Sequence, residues 1–478
     1  MTTARRIAKN TTLILIAQIV TYILGFFITI YTIRYLGVGN FGILSLALSI
    51  TGIFIIFTDL GLGTLIVREI ARDKSVTDKY ISNILLMKVL LTILTLGLII
   101  LTVTILGYSP VVKNVIYIIT FSIMIGTFTT FLSAIFQANE KMLHLSISNI
   151  LTSVAMFVGT FVGIYYKLDL NFFAFIYLIS NTLIFIYILI VYLRTFSLPR
   201  LEIDLSFWKP TLKEAWPFGI TGLSGMLYTY IDSIMLSVFQ GTEAVGFYSI
   251  AYRIMLIMLF IPNAVNLAIF PVMSQFYTHS KDSLKLVHER YFKYMIMLGI
   301  PIGAGITILA DKIILLIFGQ GFTQSIIVLQ ILIWTIVLTF AGASFVQLLV
   351  STNKQLVITK ISGICVVFNI IINLILIPKY SYIGASFATL LTEILLVGYI
   401  IYACYKLGYG IDSKVVINDL SKVLIATSIM SAAIWYFNGL NLFILVIVGI
   451  FIYFICLYLV KGIDEEDIYL VKKILNND

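Results

Sequence analysis

Apolar runs of twenty or more residues alternate with short polar breaks along almost the whole chain. A helix needs about 20 apolar residues to cross the hydrocarbon core of a bilayer. Measured against that length, the pattern predicts about 14 spanning helices. Six lie near 12–33, 42–67, 81–106, 112–137, 145–166 and 172–193. After a polar interval at 194–215, six more lie near 216–239, 244–276, 291–310, 323–350, 356–377 and 382–405. A last pair lies near 421–437 and 441–460. The expected fold class is an all-α polytopic membrane protein. Its segments are an N-terminal lobe at 1–197, a cytoplasmic linker at 198–215, a C-terminal lobe at 216–407, and a helix pair with a cytoplasmic tail at 408–478. The first run, Thr12 to Ile33, is too long for a signal-peptide core and lacks a small-residue cleavage site, so it reads as a retained span.

Composition agrees. Of 478 residues 60% are hydrophobic and 11% charged, where a soluble protein carries roughly a quarter charged. The formal net charge of +9 does not mark a nucleic-acid partner, because the cations cluster in short loops between apolar runs. With the N-terminus inside, Arg5, Arg6, Lys9, Arg68, Arg72, Lys74, Lys79, Lys141, Arg200, Lys354, Lys472 and Lys473 are among the inner cations, while the outer loops hold only Arg34, Lys113, Lys167, Lys312 and Lys379. That bias, roughly four or five to one, places both termini in the cytoplasm. Cys365, Cys404 and Cys456 lie in apolar runs without CxxC spacing, so neither disulfide nor metal site is expected.

An internal repeat runs through the pattern. FQGTEAVGFYSIA from Phe239 aligns with YLGVGNFGILSLA from Tyr35 at an offset of 204, matching Gly37 with Gly241, Gly42 with Gly246, Ser45 with Ser249 and Ala47 with Ala251. A weaker echo pairs Ala138–Lys141 with Ser351–Lys354. Six spans return the chain to its starting side, so the two lobes form a parallel repeat.

The 14 spans, the hairpin RYLGVGNFGIL (34–44), the stretch FTDLGLGTLIVREIAR (57–72) and the turn STNKQ (351–355) resemble the oligosaccharide flippases over nearly the whole chain. These are the polysaccharide-export members of the multidrug/oligosaccharidyl-lipid/polysaccharide superfamily. The resemblance implies a plasma-membrane transporter that flips polyprenyl-(pyro)phosphate-linked oligosaccharide from the inner to the outer leaflet by alternating access. Its partners would be that lipid-linked oligosaccharide, membrane lipids and glycan-assembly enzymes, with no cofactor. A cation-coupled multidrug exporter of the same superfamily is the nearest rival; such exporters resemble a 12-span core, and the extra pair at 421–460 favours the polysaccharide branch. A lipid II flippase would be expected to carry arginine in the first helix, and Thr12–Ile33 has no basic residue.

Charges inside spans are the candidate chemistry, since each costs about 2.5–3.5 kcal/mol at mid-membrane. They are Asp59, Lys88, Asp232, Arg253, Lys360 and Glu393. Arg253, Lys88 and Lys360 could hold phosphate by charge-assisted hydrogen bonds, or the two lysines could snorkel. Asp59 and Asp232 are candidate cavity acids or ion carriers; Asp232 could also pair with Arg253. Glu393 is a cavity acid or a packing contact. Arg68 ends the second span within the family-like stretch. Asn369 and Asn373, one turn apart, offer sugar hydrogen bonds or interhelical ones. GTFVG (159–163) and GIPIG (299–303) suggest close helix packing, and Pro262 and Pro301 suggest breaks. No phosphate-binding GxxxxGK[ST] loop and no H-E-x-x-H occur, and no large outer loop exists to carry catalytic residues. An enzyme or a non-transporting scaffold of glycan assembly is therefore the poorer reading. A scaffold gains nothing from charges buried in both lobes.

Overall fold

The computed structural model describes residues 3–197 and 202–463, with side chains from Leu13 onward apart from Leu15. The side chains of Arg5, Arg6, Lys9, Arg200, Lys472 and Lys473, and the tail beyond residue 463, lie outside the described residues. Among the described residues all regular structure is helical. In chain order the helices are α1 (Thr3–Phe54), α2 (Leu62–Arg72), α3 (Thr77–Ile105), α4 (Pro110–Ala138), α5 (Met142–Tyr165), α6 (Leu170–Thr195) and α7 (Leu205–Gln240). They continue as α8 (Thr242–Met258), α9 (Phe260–His279), α10 (Lys281–Ile317), α11 (Gln324–Ser351), α12 (Gln355–Lys406), α13 (Ser413–Tyr436) and α14 (Leu442–Leu459).

Among these residues eleven helical stretches are long and apolar enough to cross a membrane. Two of them, Ile16–Thr58 with 43 residues and Gln355–Lys406 with 52, are long enough to cross twice. Each contains one non-helical residue that divides it, Gly37 in α1 and Ser381 in α12. With α7, which carries Asp232 in its apolar half, every expected span has its helix. Side chains facing out of the bundle are apolar; Ile105 on α3 is 73% exposed and Leu459 on α14 is 70% exposed. Such a surface suits lipid and not water.

The chain divides between Gly246 and Phe247 into two compact units. In the first, Gly37 adopts φ 71°, ψ 174°, and Gly241, its repeat partner, adopts φ 82°, ψ 178°. That region is open to glycine almost alone, so both hairpins turn by the same device. A Cβ on Gly42 would stand 1.9 Å from the Thr242 carbonyl oxygen, and one on Gly246 would stand 2.3 Å from that of Val38. The two hairpins therefore pack reciprocally, backbone against backbone. The weaker echo is also structural. Glu140 (φ 56°) and Asn353 (φ 58°) occupy equivalent left-handed positions. The following amides, Lys141 N–H and Lys354 N–H, donate to Phe136 O at 3.0 Å and Leu349 O at 2.7 Å, closing α4 and α11 alike.

Beneath these hairpins the first unit buries Leu65, Ile66, Ile84, Phe131, Ile135 and Ile188, a core shared by α2, α3, α4 and α6. Gly159 and Gly163 of α5 seat Ile176 and Phe172 of α6, as the GTFVG spacing suggests. In the second unit Gly299 and Gly303 of α10 receive Phe340 and Val337 of α11 in the same way.

The two prolines behave differently. The eighth span breaks between Met258 and Phe260, just ahead of Pro262. By contrast, α10 runs straight through Pro301. A proline strands the carbonyl four residues earlier, and here that carbonyl, Met297 O, accepts from the Tyr453 hydroxyl at 2.7 Å. The hydrogen bond lost to Pro301 is replaced from α14, and the helix continues.

Candidate functional site

The second span is the irregular one. After Phe54 it tightens into a 3-10 turn at Ile55–Thr58, then passes through Leu60 (φ 48°) and Gly61 (φ 88°) before α2 resumes. Breaking a helix in a membrane exposes backbone donors that need partners. Asp59 supplies one: its carboxylate oxygens accept from Gly63 N–H at 3.2 and 3.1 Å. The same carboxylate receives the Nζ of Lys88 from α3. At the break α7 comes close, and a Cβ on Gly61 would lie 2.4 Å from Ala215 O.

Beside the break, α2, α4, α5 and α6 enclose a cleft of about 890 Å³. One face of α4 supplies Gly126, Thr129, Thr130, Ser133 and Gln137. From α5 come Ser148, Asn149 and Thr152, and from α6 comes Asn181. Asp59 lines it at the break, Thr64 and Arg68 line it from α2, and Phe218 lines it from α7. Several lining hydroxyls donate to their own helix: Thr130 to Thr127 O at 2.8 Å, Ser148 to His144 O at 2.9 Å and Thr152 to Ser148 O at 2.8 Å. Their lone pairs are left as acceptors for whatever occupies the cleft. Asn181 is held by a 2.8 Å bond to Ser122 Oγ.

The charges of this wall meet their opposites. Lys88 is 1% exposed against Asp59 at 30%. Arg68, 30% exposed, bonds Glu69 at 2.6 Å and also reaches Glu214 on α7. Glu69 is shared with Arg72 at 3.3 Å. The Arg68 guanidinium also stands 5.8 Å above the Phe218 ring.

Asp59 and Arg68 thus line the cleft, and Lys88 sits immediately behind it. The other candidates lie elsewhere. Asp232 is buried on α7, and Arg253 is half-buried on α8 in the second unit. Lys360 is exposed on α12. Asn373 donates to Asn369 at 2.9 Å, and Asn369 donates to Thr392 at 3.3 Å, joining the two halves of α12. Glu393 accepts from Thr339 of α11 at 2.7 Å.

Glu69, Glu214 and the stripe on α4 and α5 escaped the sequence reading. The stripe does carry a signal: residues 126, 129, 130, 133 and 137 recur with helical period inside an apolar span. Asn83 was missed too. It is buried on α3, donates to Glu202 O at 2.7 Å, and accepts from Asp204 N–H at 2.9 Å and Trp208 Nε1 at 3.1 Å. This one amide moors the segment leading into α7.

Comparison with known proteins places the chain among glycan-handling membrane proteins. Residues 7–277 match the family described as "Polysaccharide biosynthesis protein", and residues 217–375 match MatE. The capsular polysaccharide biosynthesis protein CapF of Staphylococcus aureus is 27% identical over 408 residues, 83% of this chain and 99% of that one. The probable low-salt glycan biosynthesis flippase Agl15 of Haloferax volcanii is 26% identical over 261 residues, 52% of this chain and 55% of that one. Among solved structures, the lipid II flippase MurJ in an inward closed conformation shares the fold with a TM-score of 0.77 at 18% identity, covering 93% of this chain and 98% of that one.

Proposed function

The chain belongs to the polysaccharide biosynthesis protein family, and from that premise we propose that it flips a polyprenyl-(pyro)phosphate-linked oligosaccharide from the inner to the outer leaflet of the plasma membrane. The polyprenyl tail is already soluble in hydrocarbon. The headgroup is the difficulty, because each hydroxyl buried without a partner costs about 2–7 kcal/mol and a bare phosphate far more. The observation that carries the proposal is the cleft of about 890 Å³, rich in hydroxyls and amides, inside a bundle whose outer surface is apolar. It offers sugar hydroxyls the partners they lose on leaving water.

In this reading both termini are cytoplasmic. Alternating access moves the headgroup outward. Arg68 meets the headgroup in the cleft of the first unit; in the second unit Arg253 and Lys360 are the candidate phosphate ligands, and Asn369 and Asn373 order its helices. Lys88 acts through Asp59, keeping the break in the second span in place. An inside-negative potential favours outward movement of an anion by about 2.3 kcal/mol per charge per 100 mV. Glycan-assembly enzymes supply the substrate and take the product. The rival reading, a multidrug exporter, draws on the MatE match at residues 217–375.

Deletion followed by lipid extraction separates the two. Flipping predicts a lipid-linked oligosaccharide accumulating on the inner leaflet. Heightened drug sensitivity with no accumulation would favour the exporter.

A further inference from the structure

The charges of the cleft say which sugars fit it. We propose that the cleft of the first unit is a subsite for uncharged sugar residues, and that Glu214 sets this preference by occupying Arg68. The inference rests on the headgroup reading above.

Arg68 is the cation that lines the cleft, and it is already held by Glu69 and Glu214. Together with Arg72, which shares Glu69, the cluster has two positive and two negative groups and is formally neutral. At the break Asp59 presents a carboxylate whose balancing cation, Lys88, is enclosed. A uronic or sialic acid entering the cleft therefore meets the Asp59 carboxylate, and at Arg68 it competes with Glu69 and Glu214. To reach Arg68 it must displace Glu214, which is 51% exposed. Neutral hydroxyls meet no such conflict. They find the acceptor lone pairs of Thr130, Ser148 and Thr152 and the amides of Gln137, Asn149 and Asn181. Excluding like charge in this way is a common source of specificity.

Glu214 acts through Arg68, so it is a positioning residue, and its test must read selectivity and not only affinity. The full-length protein in nanodiscs is titrated with maltotetraose as the neutral probe and tetragalacturonate as the acidic one. Wild type should bind the neutral probe at least fivefold more tightly. Glu214→Gln should strengthen the acidic probe roughly two- to fivefold, the scale of an exposed ion pair, and leave the neutral probe unchanged. Glu214→Asp should restore the wild-type ratio, and Arg68→Gln added to Glu214→Gln should erase the gain. Equal binding of both probes by wild type, or an equal shift of both by Glu214→Gln, overturns the assignment while leaving the cleft a glycan site. If wild type binds neither probe, the headgroup reading fails, and this inference with it.

Discussion

Lys88 and Asp59 form an ion pair in which the cation is fully enclosed and the anion faces the cleft. The pair stands where the second span breaks, and the same carboxylate caps the first turn of α2. Removing one partner of a buried pair strands the other charge and costs about 3–5 kcal/mol. Asp59→Asn strands the enclosed Lys88 and should therefore lower the midpoint of thermal unfolding in detergent sharply. The double variant Asp59→Asn with Lys88→Met should recover most of that loss. Equal loss in the single and double variants would mean that the pair is not what holds the break.

The reciprocal hairpins give a second prediction. Alanine at Gly42 or Gly246 drives a methyl into a facing carbonyl, and overpacking of this kind costs about 1–3 kcal/mol. Gly39 in the same hairpin is the control, because no atom lies within 4 Å of the place a Cβ would take there. Unfolding midpoints should fall for Gly42→Ala and Gly246→Ala and stay near wild type for Gly39→Ala.

Asn83 should control the segment that leads into α7. Asn83→Ala removes two acceptor bonds and one donor bond to residues 202–208. An unpartnered buried group costs about 1–3 kcal/mol. Hydrogen exchange at Asp204 and Trp208 should quicken by one to two orders of magnitude, on the scale of about 1.4 kcal/mol per factor of ten, with α4 and α6 unaffected.

Acid should act on the same segment through Asp204. Its hydrogen bonds from Ser206, and then Lys79 at 2.9 Å, hold its carboxyl down at about 2 from an ordinary 3.8. Because the folded value is the lower one, its contribution is complete above about pH 4 and is lost as pH falls toward 2. Mooring of residues 202–208, followed by hydrogen exchange corrected for intrinsic rate, should weaken across that window, and Asp204→Asn should remove the dependence.

Much of this architecture is legible in the sequence. Apolar length locates the spans, and the glycines at 37 and 241 announce two hairpins that share one backbone conformation. The turn at 139–141 likewise matches that at 352–354. Helix continuity is harder to read: Pro301 strands a carbonyl, but only the structure brings Tyr453 to it. The cleft is harder still. Charges inside spans draw attention to Asp59 and Arg68, whereas Thr130, Ser148 and Thr152 bond their own helices and so pass unnoticed within apolar runs. Nor does sequence spacing reveal that Glu214, 146 residues from Arg68, meets it.

The central claim is that the protein carries a glycan headgroup across the bilayer through a polar path that includes this cleft. Leaflet exchange in proteoliposomes tests it most directly, with a lipid-linked oligosaccharide purified from the deletion strain and membrane-impermeant periodate as the probe. Wild-type protein should expose the inner-leaflet pool to periodate. Thr130→Val with Ser133→Ala and Gln137→Leu should slow that exposure at least tenfold without changing the unfolding midpoint. If exposure in wild-type vesicles is no faster than in protein-free vesicles, or the triple variant is as fast as wild type, the account is contradicted.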